Sequence, residues 1–239
     1  MILFYIRHGD PIYNPDSLTD LGHEQAKALA KRLMLHGIDE IYASTSTRAT
    51  QTATPTSKLL KKEIHPCDWA QESVAWEGFS IKNENGRNTW CFQLPKCVEL
   101  FNSREIREMG QEWYKHPAFA DTNFENGVKD TNRSVDNFLL HLGYRHVRED
   151  GYYEVIEKNP RRIALFAHQG MGMAFLSSLL DIPYPQFCTH FDLSHSSMTV
   201  IHFDDESTDR VYPKVLQLSN DSHLYREGLL TGYSNRIFF

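Results

Sequence analysis

The stretch that decides the fold is MILFYIRHGD, residues 1–10. Residues 1–6 are apolar or aromatic and end in a β-branched side chain, which predicts a buried β-strand. Arg7, His8 and Gly9 follow at once, so a guanidinium and an imidazole stand at the carboxyl end of this strand. Ligands of open parallel α/β sheets bind in the crevice outside those ends. Three residues alone do not distinguish such a site from an ordinary turn, because short motifs recur by chance.

Two further predicted strands end in similar side chains. Residues 38–43 form a short strand, followed by a hydroxyl-rich cluster and by Arg48 in the first turn of the next predicted helix. Residues 163–167 are a continuous apolar run, typical of a central strand buried on both faces, and they end at His168. Because parallel strands present their carboxyl ends at one edge, we expect all these side chains to share one crevice.

Two guanidiniums and two imidazoles in one crevice require an anionic ligand. Arginine stays protonated, and its planar fork matches phosphate oxygens in a bidentate manner. A neutral imidazole beside it can attack phosphorus, which divides a hydrolysis into two displacements. A chance arrangement would need three separate coincidences, so the pattern favours a site for phosphoryl transfer.

The rest of the pattern predicts a three-layer α/β/α sandwich around a mainly parallel sheet. Residues 19–36 have apolar side chains at helical spacing, as do residues 170–180 after the central strand. We expect a last edge strand at residues 211–218. Strand-helix alternation stops in between, which predicts one domain over residues 1–239 with a helical cap inserted at about residues 79–157. Within the cap we expect the following elements: a helix at 98–116, a loop at 117–130 and a helix at 134–146.

Composition narrows the possible partners. The 239 residues carry a formal net charge of -6, which argues against a surface that binds nucleic acid. No apolar run could span a bilayer and no signal peptide is recognisable, so we expect a cytoplasmic protein with reduced cysteines. No metal-ligand spacing or complete dinucleotide fingerprint is found, and we expect neither a metal nor another cofactor. His190, His195 and His202 fall on predicted loops and a strand and receive no role.

Four motifs resemble the histidine phosphatase superfamily, whose members have a phosphoglycerate-mutase-like fold. They are R-H-G at residues 7–9, L-T-D-L-G-H-E-Q-A at 18–26, S-T-S-T-R-A-T-Q-T-A at 44–53 and A-H-Q-G at 167–170. They occur in the order found in the family and span most of the chain outside the expected cap.

The resemblance implies a role for each matching residue. His8 would be the nucleophile that forms a phosphohistidine. Three side chains would hold the phosphoryl oxygens and stabilise charge in the transition state: Arg7, Arg48 and His168. Asn14 stands where mutase-like members place an asparagine that contacts phosphate, and the backbone amide of Gln169 is a further expected contact.

The sequence offers two candidates for the general acid. Glu72 and Glu77 both lie on the segment that leads into the expected cap. Some phosphatase branches of the family place the acid four residues before a tryptophan, as Glu72 stands before Trp76. Others carry a W-E-G step further downstream of the acid, and here the spacing to residues 76–78 is shorter than expected. We therefore assign Glu72 as the acid, with Glu77 as the alternative.

The predicted function is hydrolysis of a small phosphomonoester by a metal-independent histidine phosphatase. Two alternatives stay open: phosphoryl transfer of the phosphoglycerate mutase type, and a phosphate-binding regulatory module without turnover. The mutase branch carries a longer segment after its asparagine and an E-R-H-Y-type stretch, and neither is found here. The sequence gives neither the physiological substrate nor the oligomeric state.

Overall fold

The structure, a computed structural model, describes residues 1–206 and 209–233. Its strands are β1 (Ile2–Arg7), β2 (Pro11–Tyr13), β3 (Asp16–Leu18), β4 (Glu40–Ser44), β5 (Ile64–Cys67), β6 (Ser80–Lys82), β7 (Asn88–Trp90), β8 (Tyr144–Val147), β9 (Tyr152–Val155), β10 (Arg162–Ala167), β11 (Met198–His202), β12 (Arg210–Val211) and β13 (Lys214–Asn220). Its α-helices are α1 (Asp20–His36), α2 (Thr47–Leu60), α3 (Glu72–Phe79), α4 (Pro95–Phe101), α5 (Arg104–Met109), α6 (Phe124–His141), α7 (Gln169–Leu180), α8 (Tyr184–His190) and α9 (Ser222–Arg226).

The predicted mainly parallel sheet is confirmed. Its strands lie in the order β13-β11-β1-β10-β4-β5. β1, β10, β4 and β5 run parallel to one another, whereas β11 is antiparallel to β1 and the edge strand β13 is antiparallel to β11. The carboxyl ends of β1, β10 and β4 therefore meet at one edge of the sheet.

Helices cover both faces of the sheet. On one face, Leu29 and Leu33 of α1 and Ala53 of α2 pack with strand residues such as Phe4 and Phe166. On the other face, α7 and α6 pack against the remaining strand side chains. This gives the three-layer arrangement expected from the sequence. In the described residues, no helix combines the length and the apolar character that crossing a membrane requires.

The first helix begins and ends at the predicted signals. Thr19 is the N-cap, and its hydroxyl accepts a 3.0 Å hydrogen bond from the amide of Gly22. Gly37 ends the helix in the left-handed region at φ 72°, where a glycine carries no Cβ penalty. α1 can lie close to the end of β1 because Gly9 has no side chain. A Cβ on Gly9 would be only 2.7 Å from the carbonyl oxygen of Gly22.

The structure corrects several predictions for the segment between β5 and β10. The helix predicted at 98–116 is divided into α4, α5 and a 3-10 segment, because Ser103 caps a new helix and Gly110 ends it at φ 55°. The loop predicted at 117–130 is wrong from Phe124 onward, where α6 begins. Phe124 is fully buried, so its tertiary contacts outweigh the polar side chains around it.

The end of the next predicted helix and the last edge strand also differ from expectation. The helix predicted at 134–146 stops at His141, and Gly143 at φ 99° turns the chain into β8. The edge strand predicted at 211–218 is two strands: β12 pairs with β9, and β13 pairs with β11. Pro213 lies between them, where it cannot donate a ladder hydrogen bond. The cap boundaries of 79–157 stay a prediction.

A charged cluster joins α6 and β8 to the end of α7. The buried His146 ring lies between two carboxylates, with Nδ1 3.1 Å from Asp136 and Nε2 2.8 Å from Asp181. Arg148 pairs with both aspartates, at 2.7 and 3.4 Å. Burial alone would lower the pKa of His146, but its hydrogen bonds to the two aspartates raise it above the usual value. When His146 is protonated, its charge and that of Arg148 balance the negative charges of Asp136 and Asp181.

We predict that His146 makes stability depend on pH. The pKa of His146 is higher in the folded chain than in the unfolded chain, where it is about 6.5. Its stabilisation is therefore complete below about pH 6.5 and is lost as the pH rises through the folded pKa. His146→Gln should lower the free energy of unfolding at pH 6 by about 1–3 kcal/mol, and the difference should narrow towards pH 9. Urea unfolding between pH 6 and pH 9 measures the difference in free energy of unfolding between the wild type and the variant. His141→Gln is the matched control, because His141 is exposed. A difference that grows as the pH rises would contradict the prediction.

Candidate active site

The parallel ladder brings His8 and His168 side by side. Arg7 is paired with Ala167 in the register of β1 and β10, and the amide of His8 donates to the carbonyl of Ala167 at 3.0 Å. The two imidazoles that follow these strands lie edge to face with their ring centroids 5.2 Å apart. Both are buried, with exposed fractions of 2% for His8 and 0% for His168.

One hydrogen bond determines the tautomer of His8. Its Nδ1 lies 2.7 Å from the carbonyl oxygen of Gly9. A carbonyl can only accept, so Nδ1 carries the proton and Nε2 presents its lone pair. Burial lowers the pKa of His8 well below its usual value, and the charges of His168, Arg7 and Arg48 lower it further. His8 is therefore a neutral imidazole at neutral pH, the form that can act as a nucleophile.

His168 is held by hydroxyl groups from the next strand along the sheet. Its Nε2 lies 2.8 Å from Ser44 Oγ and 3.2 Å from Ser46 Oγ. Ser44 is the last residue of β4, and Ser46 is the N-cap of α2. Burial lowers the pKa of His168 well below its usual value, with Arg48 and Arg7 acting in the same direction. The hydroxyl-rich cluster that the sequence assigned to a turn and a helix cap thus also orients this ring.

Two arginines bring positive charge to the same place. Arg7 is 3% exposed and donates through Nη1 to the carbonyl of Leu193. Arg48 pairs with Asp16 at 2.7 Å and lies 5.5 Å from the ring centre of Tyr13. Within the part of the chain that the structure describes, the buried Nε atoms of both arginines have no hydrogen-bond partner. Buried donors of this kind are costly unless an acceptor reaches them, which favours an anionic ligand.

Glu72 reaches the site from the start of α3. Its carboxylate accepts hydrogen bonds from the amides of Gly170 at 2.9 Å and Met171 at 2.8 Å, in the first turn of α7. Burial raises the pKa of Glu72, although these amides and the two arginines of the site act in the opposite direction. A carboxyl group with a raised pKa can donate a proton near neutral pH. Glu77, the alternative acid, is exposed on the same helix.

The remaining candidates stand at the margin of the site. Asn14 is exposed at the turn between β2 and β3, the hairpin that also supplies Tyr13 and Asp16 to Arg48. Gln169 is the first residue of α7, and its side-chain amide donates to Asp192. A phosphate-binding role for Asn14 and for the Gln169 amide stays a prediction.

His195 received no role from the sequence analysis, and the structure places it against the nucleophile candidate. Its ring stacks on His8 with the centroids 5.9 Å apart and 30° between the planes. Its Nδ1 lies 3.5 Å from an oxygen of Asp10. Burial, together with the charge of Arg7, lowers the pKa of His195 to about 3. His195 follows α8 on an irregular segment, and a histidine on a loop carries no local signal of such a contact.

Comparison with known proteins adds independent information. The model of the histidine phosphatase superfamily, branch 1, matches residues 3–95. "Putative phosphoserine phosphatase 2" of Hydrogenobacter thermophilus is 22% identical over 219 residues, covering 88% of this chain and 93% of that protein.

Solved structures share the fold at low sequence identity. A phosphoserine phosphatase mutant from Entamoeba histolytica in complex with phosphoserine has a TM-score of 0.59 and 18% identity, over 93% of this chain and 98% of its own. A mycobacterial glucosyl-3-phosphoglycerate phosphatase complexed with VO3 has a TM-score of 0.57 and 17% identity, over 92% and 98%. The alpha-ribazole phosphatase from Shigella flexneri has a TM-score of 0.57 and 17% identity, over 92% and 97%.

We predict that inorganic phosphate stabilises the folded chain through the two arginines. Binding to the folded state alone adds about 2.7 kcal/mol of stability at a concentration 100 times Kd. Phosphate should therefore raise Tm above that in chloride of equal ionic strength, and Arg48→Gln should remove most of the rise. Scanning calorimetry measures this effect, and Arg133→Gln is the matched control because Arg133 is an exposed partner of Asp130. An equal rise in the Arg48→Gln variant would contradict the role of Arg48.

Proposed function

We propose that the chain is a member of the histidine phosphatase superfamily and that it hydrolyses a small phosphomonoester through a phosphohistidine on His8. The observation that carries this proposal is the environment of His8. A neutral imidazole with a free Nε2 is buried beside two guanidiniums, Arg7 and Arg48, whose Nε atoms have no partner among the described residues. Such a pocket can hold a phosphoryl group and attack it.

In the first proposed step, Nε2 of His8 attacks phosphorus in line with the leaving oxygen. A nitrogen–phosphorus bond forms, the phosphorus–oxygen bond to the alcohol breaks, and charge spreads over the three equatorial oxygens. Arg7, Arg48 and His168 hold these oxygens. Because the donors stand in place before the reaction, no reorganisation is needed at the moment the charge develops.

Glu72 serves the leaving group in the same step. An alkoxide is a poor leaving group unless it is protonated, and the raised pKa of Glu72 keeps a proton available for it. The alcohol departs with that proton and leaves Glu72 ionised. The amides of Gly170 and Met171, at the positive end of α7, then stabilise the carboxylate.

In the second step the same carboxylate activates water. Glu72 takes a proton from the water, the water oxygen bonds to phosphorus, and the bond to Nε2 of His8 breaks. Inorganic phosphate leaves and the starting protonation states return. Asn14 and the backbone amide of Gln169 are proposed as further contacts to phosphate, and residues 79–157 as the cap that covers the alcohol.

We further propose that this chemistry needs no metal ion and takes place in the cytoplasm on a small phosphorylated metabolite. Fixed arginines supply the positive charge that metal ions supply in other phosphoryl-transfer sites. The formal net charge of -6 supports a small-molecule substrate over nucleic acid. Membrane association is not expected.

We predict that His8→Ala loses turnover but keeps phosphate binding, since the two arginines and His168 remain. Hydrolysis of p-nitrophenyl phosphate should fall by about 10⁴-fold or more, the scale seen when a nucleophile is removed. Rapid quench of the wild type should trap an acid-labile, alkali-stable phosphoenzyme. His23→Ala, which removes a histidine from α1, should change little. Turnover retained in His8→Ala would refute the nucleophile assignment, and no turnover in the wild type would favour the regulatory module.

We also predict that the effect of Glu72→Gln depends on the leaving group. Hydrolysis of alkyl phosphates should slow by about 10²-fold or more, the usual scale of acid–base catalysis. Hydrolysis of p-nitrophenyl phosphate should slow considerably less, because nitrophenolate needs less protonation. Steady-state kcat for both substrates measures the difference, and Glu77→Gln is the matched control on the same helix. Equal losses on both substrates, or a larger dependence in Glu77→Gln, would remove Glu72 from the role.

A further inference from the structure

Three aromatic rings stand next to the proposed general acid. Trp76 lies one turn after Glu72 on the same face of α3. The ring of Trp90 meets Trp76 edge to face, with centroids 4.9 Å apart, and Phe92 stacks on Trp90 with centroids 5.4 Å apart. All three side chains are half-buried, so part of each ring faces solvent. Trp76, Trp90 and Phe92 are called the aromatic wall below.

The aromatic wall is in contact with the backbone that binds the acid. A Cβ on Gly170 would lie 2.3 Å from the Cη2 atom of Trp90, so only a glycine allows the indole to lie this close to α7. The amide of the same glycine donates to Glu72. Trp90 therefore lies against the residue whose amide holds the proposed general acid.

The charges near Glu72 indicate which alcohols suit this position. Arg48 and Arg7 both act on its carboxyl group, and the proposed mechanism already uses both for the phosphoryl oxygens. An alcohol with a carboxylate would place a negative charge beside Glu72 and oppose the ionisation of Glu72 when its proton is given up. A flat apolar group can instead cover the exposed parts of the rings, and aromatic contacts add to the gain from burial.

We propose that the aromatic wall binds the organic group of the leaving alcohol, and that the preferred substrates are phosphomonoesters of uncharged alcohols with an aromatic or flat apolar group. This inference rests on the proposed function and names the substrate class of the same site. Trp90 is its central residue, since it touches both other rings and Gly170.

The experiment compares benzyl phosphate, ethyl phosphate and O-phosphoserine. Benzyl alcohol and ethanol are both primary alcohols, so their leaving groups need similar protonation. The two substrates differ mainly in the aromatic ring. The wild type should show a kcat/KM for benzyl phosphate about 10-fold or more above that for ethyl phosphate, the size of one good aromatic contact with its burial. O-phosphoserine should be a poorer substrate than benzyl phosphate. A preference for O-phosphoserine, or equal rates for benzyl and ethyl phosphate, would overturn the proposal.

Two variants test the wall itself. Trp90→Ala should bring the benzyl-to-ethyl ratio of kcat/KM down to about 1–3. Trp76→Ala should shift the ratio in the same direction and gives a second reading if Trp90→Ala folds poorly. Tyr114→Ala removes another half-buried ring, and should leave the ratio unchanged. An unchanged ratio in both tryptophan variants, or equal losses on both substrates, would refute the proposal.

Binding separates failure of this inference from failure of the proposed function. If the wild type hydrolyses none of the three esters, the proposed function fails, and the aromatic wall is then tested with benzylphosphonate and ethylphosphonate. Calorimetry should give a Kd for benzylphosphonate about 10-fold lower, and Trp90→Ala should abolish the difference. Equal Kd values in the wild type would overturn the aromatic wall independently of turnover.

Discussion

The parallel pairing of β10 with β1 on one side and β4 on the other is the constraint on which the site depends. Arg7 lies opposite Ala167 and Phe166 opposite Ala43, so three strands end at the same level of the sheet. A slip of one residue would turn each side chain to the opposite face. Almost all of β1 and β10 is buried on both sides, which makes any other register costly. The positions of the imidazoles are therefore set by the backbone of the core, before any contact with a ligand.

Burial has opposite effects on the two groups that the proposed mechanism needs in opposite states. It lowers the pKa of His8 and raises the pKa of Glu72, which favours the neutral imidazole and the protonated carboxyl group. The arginines add to the first shift and reduce the second. The positive charge of the two arginines also favours the binding of a doubly negative phosphoryl group. In the proposed mechanism, one buried, positively charged pocket prepares the nucleophile, the acid and the binding of phosphate.

The sequence predicted the central sheet and the residues at the strand ends because these features have strong local signals. An apolar run followed directly by Arg7 or His168 can be recognised from the sequence without knowing which residues pack against it. The structure of the insertion depends on distant contacts: Phe124 begins a helix because its ring is buried among the rings of Phe101 and Trp113. The position of His195 depends on an irregular segment that Arg7 binds through the carbonyl of Leu193. Tertiary contacts of this kind have no local pattern in the sequence.

The two halves of the proposed substrate are recognised by different parts of the chain. The phosphoryl side comes from the ends of β1, β4 and β10, whereas Glu72 and the aromatic wall lie within residues 72–92. α3 packs closely on α6, since Gly78 and Gly127 bring the two helices so near that a Cβ on Gly78 would be 2.6 Å from Gly127 Cα. Recombination that exchanged this segment would therefore transfer the proton donor together with the surface that selects the alcohol. If the proposed roles hold, the sheet carries a constant chemical step and a separate segment sets the leaving group, which gives evolution a route to new substrates that leaves the sheet unchanged.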